Sequence, residues 1–200
     1  ASIKFYLDFL VKNNHSDLAI LKQTKDKFES RNSVHHSGLS FANAFMSAGT
    51  TSDDFLRQNL DWLRRASNWS KFSATAGFGV IHKGQLDQGR ALLDPYLPKT
   101  GVTGSSYSEG GALFALGLIH TNHGSGVLEY LSNTLANTSS DVVQHGACLG
   151  LGVAGMASAS QELYNELKQI LFSDSAVAGK AASIAIGLFM LGTGNKQVIH

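Results

Sequence analysis

Cysteine occurs once in this chain, at Cys148, and proline only twice, at Pro95 and Pro98. A single cysteine excludes an internal disulfide framework and fits a reducing compartment. Charge of one sign is also missing: 16 Lys and Arg stand against 15 Asp and Glu. No net field therefore steers the chain toward nucleic acid or an anionic membrane. The longest apolar stretch, Ala181 to Leu191, is broken by Ser183 and falls short of the roughly 18 residues that a membrane span requires. No Lys/Arg-led apolar leader opens the chain, so the glycosylation triplets at Asn14, Asn68 and Asn137 read as chance matches. The reading is a soluble, intracellular protein.

Glycine, by contrast, is abundant, with 21 residues. In a helix it costs about 1 kcal/mol relative to alanine. A Gly-rich, Pro-poor chain is therefore disordered, strand-rich, or helical with helices too close for side chains.

Internal repetition decides among these. Small residues open successive apolar runs at Gly38, Ser73, Gly111, Gly146 and Ala181, spaced 35, 38, 35 and 35 residues apart. Four residues on lies a column of Ala42, Gly77, Ala115, Gly150 and Ala185. Six residues on lies Ala44, Gly79, Gly117, Gly152 and Gly187. Eleven residues on come Gly49, Gly84, Asn122, Ala157 and Gly192, mostly of the type that ends a helix. Large apolar columns run between them, such as Phe45, Val80, Leu118, Val153 and Leu188.

Each unit has two halves. The first, as in Gly111 to His120, is apolar or small around the whole helical circumference, the mark of a helix buried on all sides. The second is amphipathic: Leu56, Leu60 and Leu63 fall at i, i+4 and i+7, and Leu163, Leu167 and Ile170 repeat the pattern. Ser158 with Gln161, and Ser106 with Glu109, have the spacing of capping boxes. Asp53 and Asp54 open a helix that Arg64 and Arg65 close, as the helix dipole favours. The fold class expected is all-α: an α-solenoid of helix–turn–helix repeats of about 35 residues, in which no unit buries its apolar face alone. Residues 33–200 would hold about four and a half units, starting near 33, 68, 106, 141 and 176. Residues 1–32 would form a flanking helical pair in a less regular register, and the loop from Pro98 to Ser106 absorbs three extra residues. With no initial Met and no polar capping repeat, the chain reads as a segment of something longer.

The Leu-Gly-Leu cores at Leu116-Gly117-Leu118 and Leu149-Gly150-Leu151-Gly152-Val153 resemble the proteasome/cyclosome repeat. Gly49-Thr50-Thr51-Ser52-Asp53, Asn59 to Leu63, Asn68 to Phe72 and Gly79 to Gly84 extend the resemblance to the large non-ATPase subunits of the proteasome's regulatory particle. The resemblance implies repeats that close into a toroid of two concentric helical rings, of which this chain would be an arc. It also implies a non-catalytic scaffold of the base, in cytoplasm and nucleus. Its partners would be the ATPase ring, lid subunits and a ubiquitin receptor, the last through a region beyond His200. Two other readings stay open: a repeat segment of another proteasome or anaphase-promoting-complex subunit, and a ubiquitin- or ubiquitin-like-binding module.

No constellation for catalysis, cofactor or metal emerges. Gly150-Leu-Gly152-Val-Ala-Gly155 matches the dinucleotide fingerprint, but that motif requires a strand before it and a helix after it. Its first two glycines instead sit in repeat columns. Gly179-Lys180 lacks the rest of a phosphate loop. His82 and His120 share a column, yet no third ligand recurs in register. Cys148, on an all-apolar helix, reads as a buried inert thiol. The carboxylates mostly fall on outer helices, where solvation is the default. The repeat positions Gly38, Gly79, Gly111, Gly117, Gly146, Gly152 and Gly187 are read as structural. Trp62 and Trp69, with Arg64 and Arg65, are the candidates for an interaction surface, although packing between repeats is the commoner role for such tryptophans.

Overall fold

The computed structural model describes residues 17–28, 32–99 and 104–195, with positions 2, 5, 6, 9 and 13 singly. Among the described residues there are eleven α-helices, one 3-10 turn at Gly124–Gly126 and no strand. Apart from positions 5, 6 and 9, the expected first helix over 3–12 lies outside the described residues, as does any second helix of the fifth unit past residue 195.

Five helices of 14 residues form the inner layer: α2 (Ser33–Met46), α5 (Asn68–Ile81), α7 (Ser106–Ile119), α9 (Asp141–Ala154) and α11 (Ala176–Phe189). Between them run the outer helices: α3 (Asp54–Gln58) and α4 (Leu60–Arg64), α6 (Leu86–Leu93), α8 (Leu128–Asn137) and α10 (Gln161–Leu171). Ahead of them stands α1 (Leu18–Lys27). Each inner helix packs on the next, α2 on α5 on α7 on α9 on α11, so the architecture is an α-solenoid.

The glycine and alanine columns mark where the inner helices meet. A Cβ added to Gly79 would lie 2.5 Å from the Cα of Ala115. One added to Gly117 would collide with the backbone of Gly150, and one on Gly152 would fall 2.7 Å from the Cα of Ala185. Thus the column six residues into each unit nests against the column four residues into the next. Backbones this close leave no room for larger residues. Gly111 and Gly146 do the same toward the preceding unit, against Phe72 and Gly110. Gly38 and Gly187 do not: no atom lies within 4 Å of a Cβ at either. Both are exposed, and Gly38 lines a groove with Trp69 and Ser70 instead of nesting against a neighbouring backbone.

A second interlock was not foreseen. After each inner helix the residue eleven places into the unit takes the left-handed conformation, at Gly49, Gly84, Asn122, Ala157 and Gly192, and Thr51, Ala159 and Gly194 do so as well. In the column eleven places in, four N–H groups donate to a carbonyl near the end of the following inner helix. Gly49 N bonds to Val80 O at 2.9 Å, Gly84 N to Ile119 O at 3.0 Å, Asn122 N to Val153 O at 3.3 Å and Ala157 N to Leu188 O at 2.9 Å. The last carbonyls of a helix have no partner within it; here the previous unit's turn supplies one.

Helix boundaries differ from the capping boxes read in the sequence. Ser160, not Ser158, caps α10, its Oγ accepting from Leu163 N at 3.4 Å. Ser105 rather than Ser106 stands at the N-cap of α7, without a side-chain bond to it. The first outer helix is split as well. Asn59 lies between α3 and α4, and its Nδ2 donates to Phe55 O at 2.7 Å while Lys25 Nζ donates to its Oδ1 at 2.7 Å. A short amide that bonds the backbone competes with the helical ladder. The break rotates α4, so Leu60 is 50% exposed instead of sharing the buried face of Leu56.

Candidate interaction surface

Among the described residues, polar and charged side chains are buried at one end of the stack. His36, Ser40, Asn43, Ser47, Thr50, Asp53, Asn59, Ser70, Thr75 and His82 are the buried polar residues; all lie in the first two units. The core of α7, α8, α9, α10 and α11 is apolar, built on Leu113, Leu116, Leu131, Leu151, Leu167 and Phe189.

Within the polar end, the His36 ring stacks on Trp62 at 3.8 Å between centroids and 8° between planes, with Nε2 3.2 Å from Trp62 O. Burial lowers the His36 pKa, opposed by its hydrogen bond to the Trp62 carbonyl. Asp53, expected on a wetted outer helix, is instead buried at the turn into α3. Its Oδ1 accepts from Arg57 Nε at 2.6 Å, and its Oδ2 lies 3.7 Å from His82 Nε2. Arg57 satisfies this carboxylate from the solvent side. Burial lowers the His82 pKa, and the nearby Asp53 charge only partly offsets it. Both side-chain atoms of Asn43 are buried without a hydrogen-bond partner.

The four residues singled out for interaction do not form one surface. Trp62, Arg64 and Arg65 border a groove of about 680 Å³ between α1 and α4, together with Lys25 and Arg57. Trp69 borders a different one, of about 630 Å³, with Val34 and Phe41. Trp69 is 42% exposed, yet its ring also contacts three units edge-on: Phe72 at 5.3 Å, Tyr107 at 5.4 Å and His145 at 5.1 Å. His145 is in turn fixed by Nδ1, 2.8 Å from Val177 O. Trp69 therefore joins packing and exposure in one side chain.

Other sequence features resolve structurally. Gly150 and Gly152 lie inside α9 with no strand before them, and Gly155 ends that helix. Cys148 is buried, and desolvation pushes its thiol up to about 12, far from the thiolate that reactivity requires. Among the described residues no three His, Cys, Asp or Glu side chains converge as a metal site would need. Among them, too, no helix is long and apolar enough to cross a membrane.

The family model for the proteasome/cyclosome repeat matches residues 73–103, 111–144 and 146–180, half of the chain. The chain belongs to the proteasome/cyclosome repeat family. Within it, the chain is 59% identical over 194 residues to a 26S proteasome non-ATPase regulatory subunit 1 homolog of Arabidopsis thaliana, covering 96% of this chain and 19% of that protein. It is 53% identical over 199 residues to the 26S proteasome regulatory subunit rpn2 of Schizosaccharomyces pombe, covering 99% and 21%. To the Saccharomyces cerevisiae subunit RPN2 it is 43% identical over 203 residues, covering 98% and 21%. The chain spans about a fifth of the length of these relatives. Repeat-family membership accounts for the columns; all three relatives are named as regulatory subunits, and the Arabidopsis one as a non-ATPase subunit.

Proposed function

We propose that this chain is a non-catalytic scaffold segment of the proteasome regulatory particle's base, holding partner subunits in fixed relative positions for ubiquitin-dependent degradation. The supporting observation is the double interlock of the inner helices, small residues nested backbone to backbone and turns bonded to the next helix's carbonyls. Few side-chain rotamers intervene between successive backbones, so the stack resists bending, and a stiff arc can transmit position between bound partners. On this reading residues 33–200 are about four and a half repeats of a larger toroid, preceded by a helical pair in 1–32. The partners are the ATPase ring and lid subunits, with a ubiquitin receptor held by another part of the parent chain, in cytoplasm and nucleus.

The test is native purification of the full-length protein carrying this segment. The expected result is co-migration with ATPase and lid subunits. Full-length protein running free of both would overturn the scaffold reading. A Gly117→Leu version should lose co-migration, because the arc around it can no longer close up.

A further inference from the structure

The break at Asn59 turns α4 into an exposed ridge with a groove on either side. On the side facing α5, the groove has a volume of about 460 Å³ and is lined by Leu60, Leu63, Phe78 and Tyr96, with Arg64 and Lys71 as its charged groups. Leu60 and Tyr96 are 50% and 37% exposed, and the Tyr96 ring stacks on Phe78 at 5.9 Å. No carboxylate lines this groove. Arg64 is only weakly engaged: its contact with Asp61 is 3.4 Å long between two side chains that are 78% and 89% exposed. Lys71 has no ion pair among the described residues. On the far side of the ridge the other groove adds Arg65 and Asp61, while its Lys25 and Arg57 are paired with Asp26 and Asp53. A chain that is nearly neutral as a whole thus gathers an excess of cations around one apolar slot. Two of the other outer helices differ in this respect: α8 and α10 bury their apolar faces at Leu131, Leu135 and Leu167.

We propose that the α4 ridge docks an acidic amphipathic segment of a partner protein. An aliphatic side chain of that segment fills the slot between Leu60 and Tyr96, and its carboxylates meet Arg64 and Lys71. Apolar contact at the centre with charge at the rim is the usual division of labour in such interfaces. The rim charges steer encounter and give salt dependence, while the buried anchor supplies most of the affinity. A polyanion without apolar side chains would use the rim alone and leave the slot empty. This inference rests on the scaffold reading in that it names the chemistry of one docking partner.

The experiment is fluorescence anisotropy of the chain with a fluorescein-labelled peptide of Asp and Glu carrying Leu at helical spacing. The comparison ligands are the same peptide with Ser for Leu and a single-stranded oligonucleotide. Saturable binding of the Leu peptide is expected, at least tenfold weaker for the Arg64→Glu, Lys71→Glu double variant and for Leu60→Ser. Lys168→Glu, on α10, should leave it unchanged. All three variants replace exposed or rim groups, and unchanged helical circular dichroism verifies that they fold. No saturable binding, binding that survives both variants, or equally tight binding of the Ser peptide or oligonucleotide would overturn the proposal. Co-migration of the full-length double variant with the regulatory particle separates the two readings. Lost peptide binding with intact assembly is the expected pair. Absent peptide binding in wild-type protein that assembles normally removes the acidic partner and leaves the scaffold.

Discussion

The two ends of the stack share one repeat and differ in what they bury. From α7 to α11 the interior is apolar, and inner helices meet with almost no space between backbones, as at Gly117 and Gly150. From α2 to α5 the interior holds His36, Asn43, Asp53 and His82, and the corresponding approach is looser: a Cβ on Gly77 would lie 3.5 Å from that of Ala44, an ordinary contact. The same 35-residue plan therefore supports two regimes. Where small columns and apolar layers coincide, the stack is stiff. Where polar groups enter the core, each must find a partner or reduce stability. The outer helix breaks in that second regime, and the cationic grooves open there.

The difference can be broken most severely at the tight end. Gly152→Leu would drive a side chain into Ala185 and should destabilise the chain by about 3 kcal/mol or more, at the top of the usual overpacking range; a denaturant titration reads it. An unchanged midpoint would mean that α9 and α11 are not in backbone contact. At the polar end the sign should reverse. Asn43→Leu removes a buried amide whose oxygen and nitrogen both lack partners, and stability should rise by about 1–3 kcal/mol, the penalty of such groups. A loss of similar size would show that an ordered water satisfies Asn43.

Acid should separate the ends as well. Burial lowers the folded-state pKa of His36 and His82, both at the polar end, and of His120. Each is thus neutral in the folded chain at pH values where the unfolded chain has begun to bind a proton. Their contribution is intact above the ordinary value of 6.5 and is lost as pH falls below it toward the lowered values. Amide protection factors, corrected for the intrinsic pH dependence of exchange, should fall between pH 7 and pH 5 around Leu39 and Ile81 before they do around Leu151. His82→Gln should flatten that dependence, and a uniform fall would contradict it. The smallest effect is local. Ala157 holds a φ of +58°, a conformation that costs a non-glycine residue about 1–2 kcal/mol. Ala157→Gly should therefore gain up to about 1 kcal/mol, after the larger entropy loss of glycine, seen as a small rise in Tm.

Much of the tight end was legible in the sequence because backbone nesting permits only small residues at fixed register. The columns through Gly79, Gly117 and Gly152 name the contacts directly, and the column through Gly84 and Asn122 marks the left-handed turns. What those turns bind was not legible, since a main-chain N–H donating to a neighbouring repeat carries no side-chain signature. The polar end was misread where side chains act against their type. Asp53 is an acid at an apparent helix start, but it is buried between Arg57 and His82. Leu60 keeps helical spacing with Leu56 and Leu63, but the Asn59 amide interrupts the helix between them. Trp62 and Trp69 were identifiable as residues of interest. That they serve different grooves follows from their places on α4 and α5, which the sequence spacing alone does not aim.

Close nesting of successive inner helices is the claim on which the rest stands, and a single methyl group tests it. Thermal denaturation should be compared for Gly117→Ala, whose Cβ has no room beside Gly150, and Gly38→Ala, whose Cβ meets nothing within 4 Å. A fall in Tm of several degrees for the first, with no fall or a slight rise for the second, is the result predicted. Equal effects at both positions would contradict it.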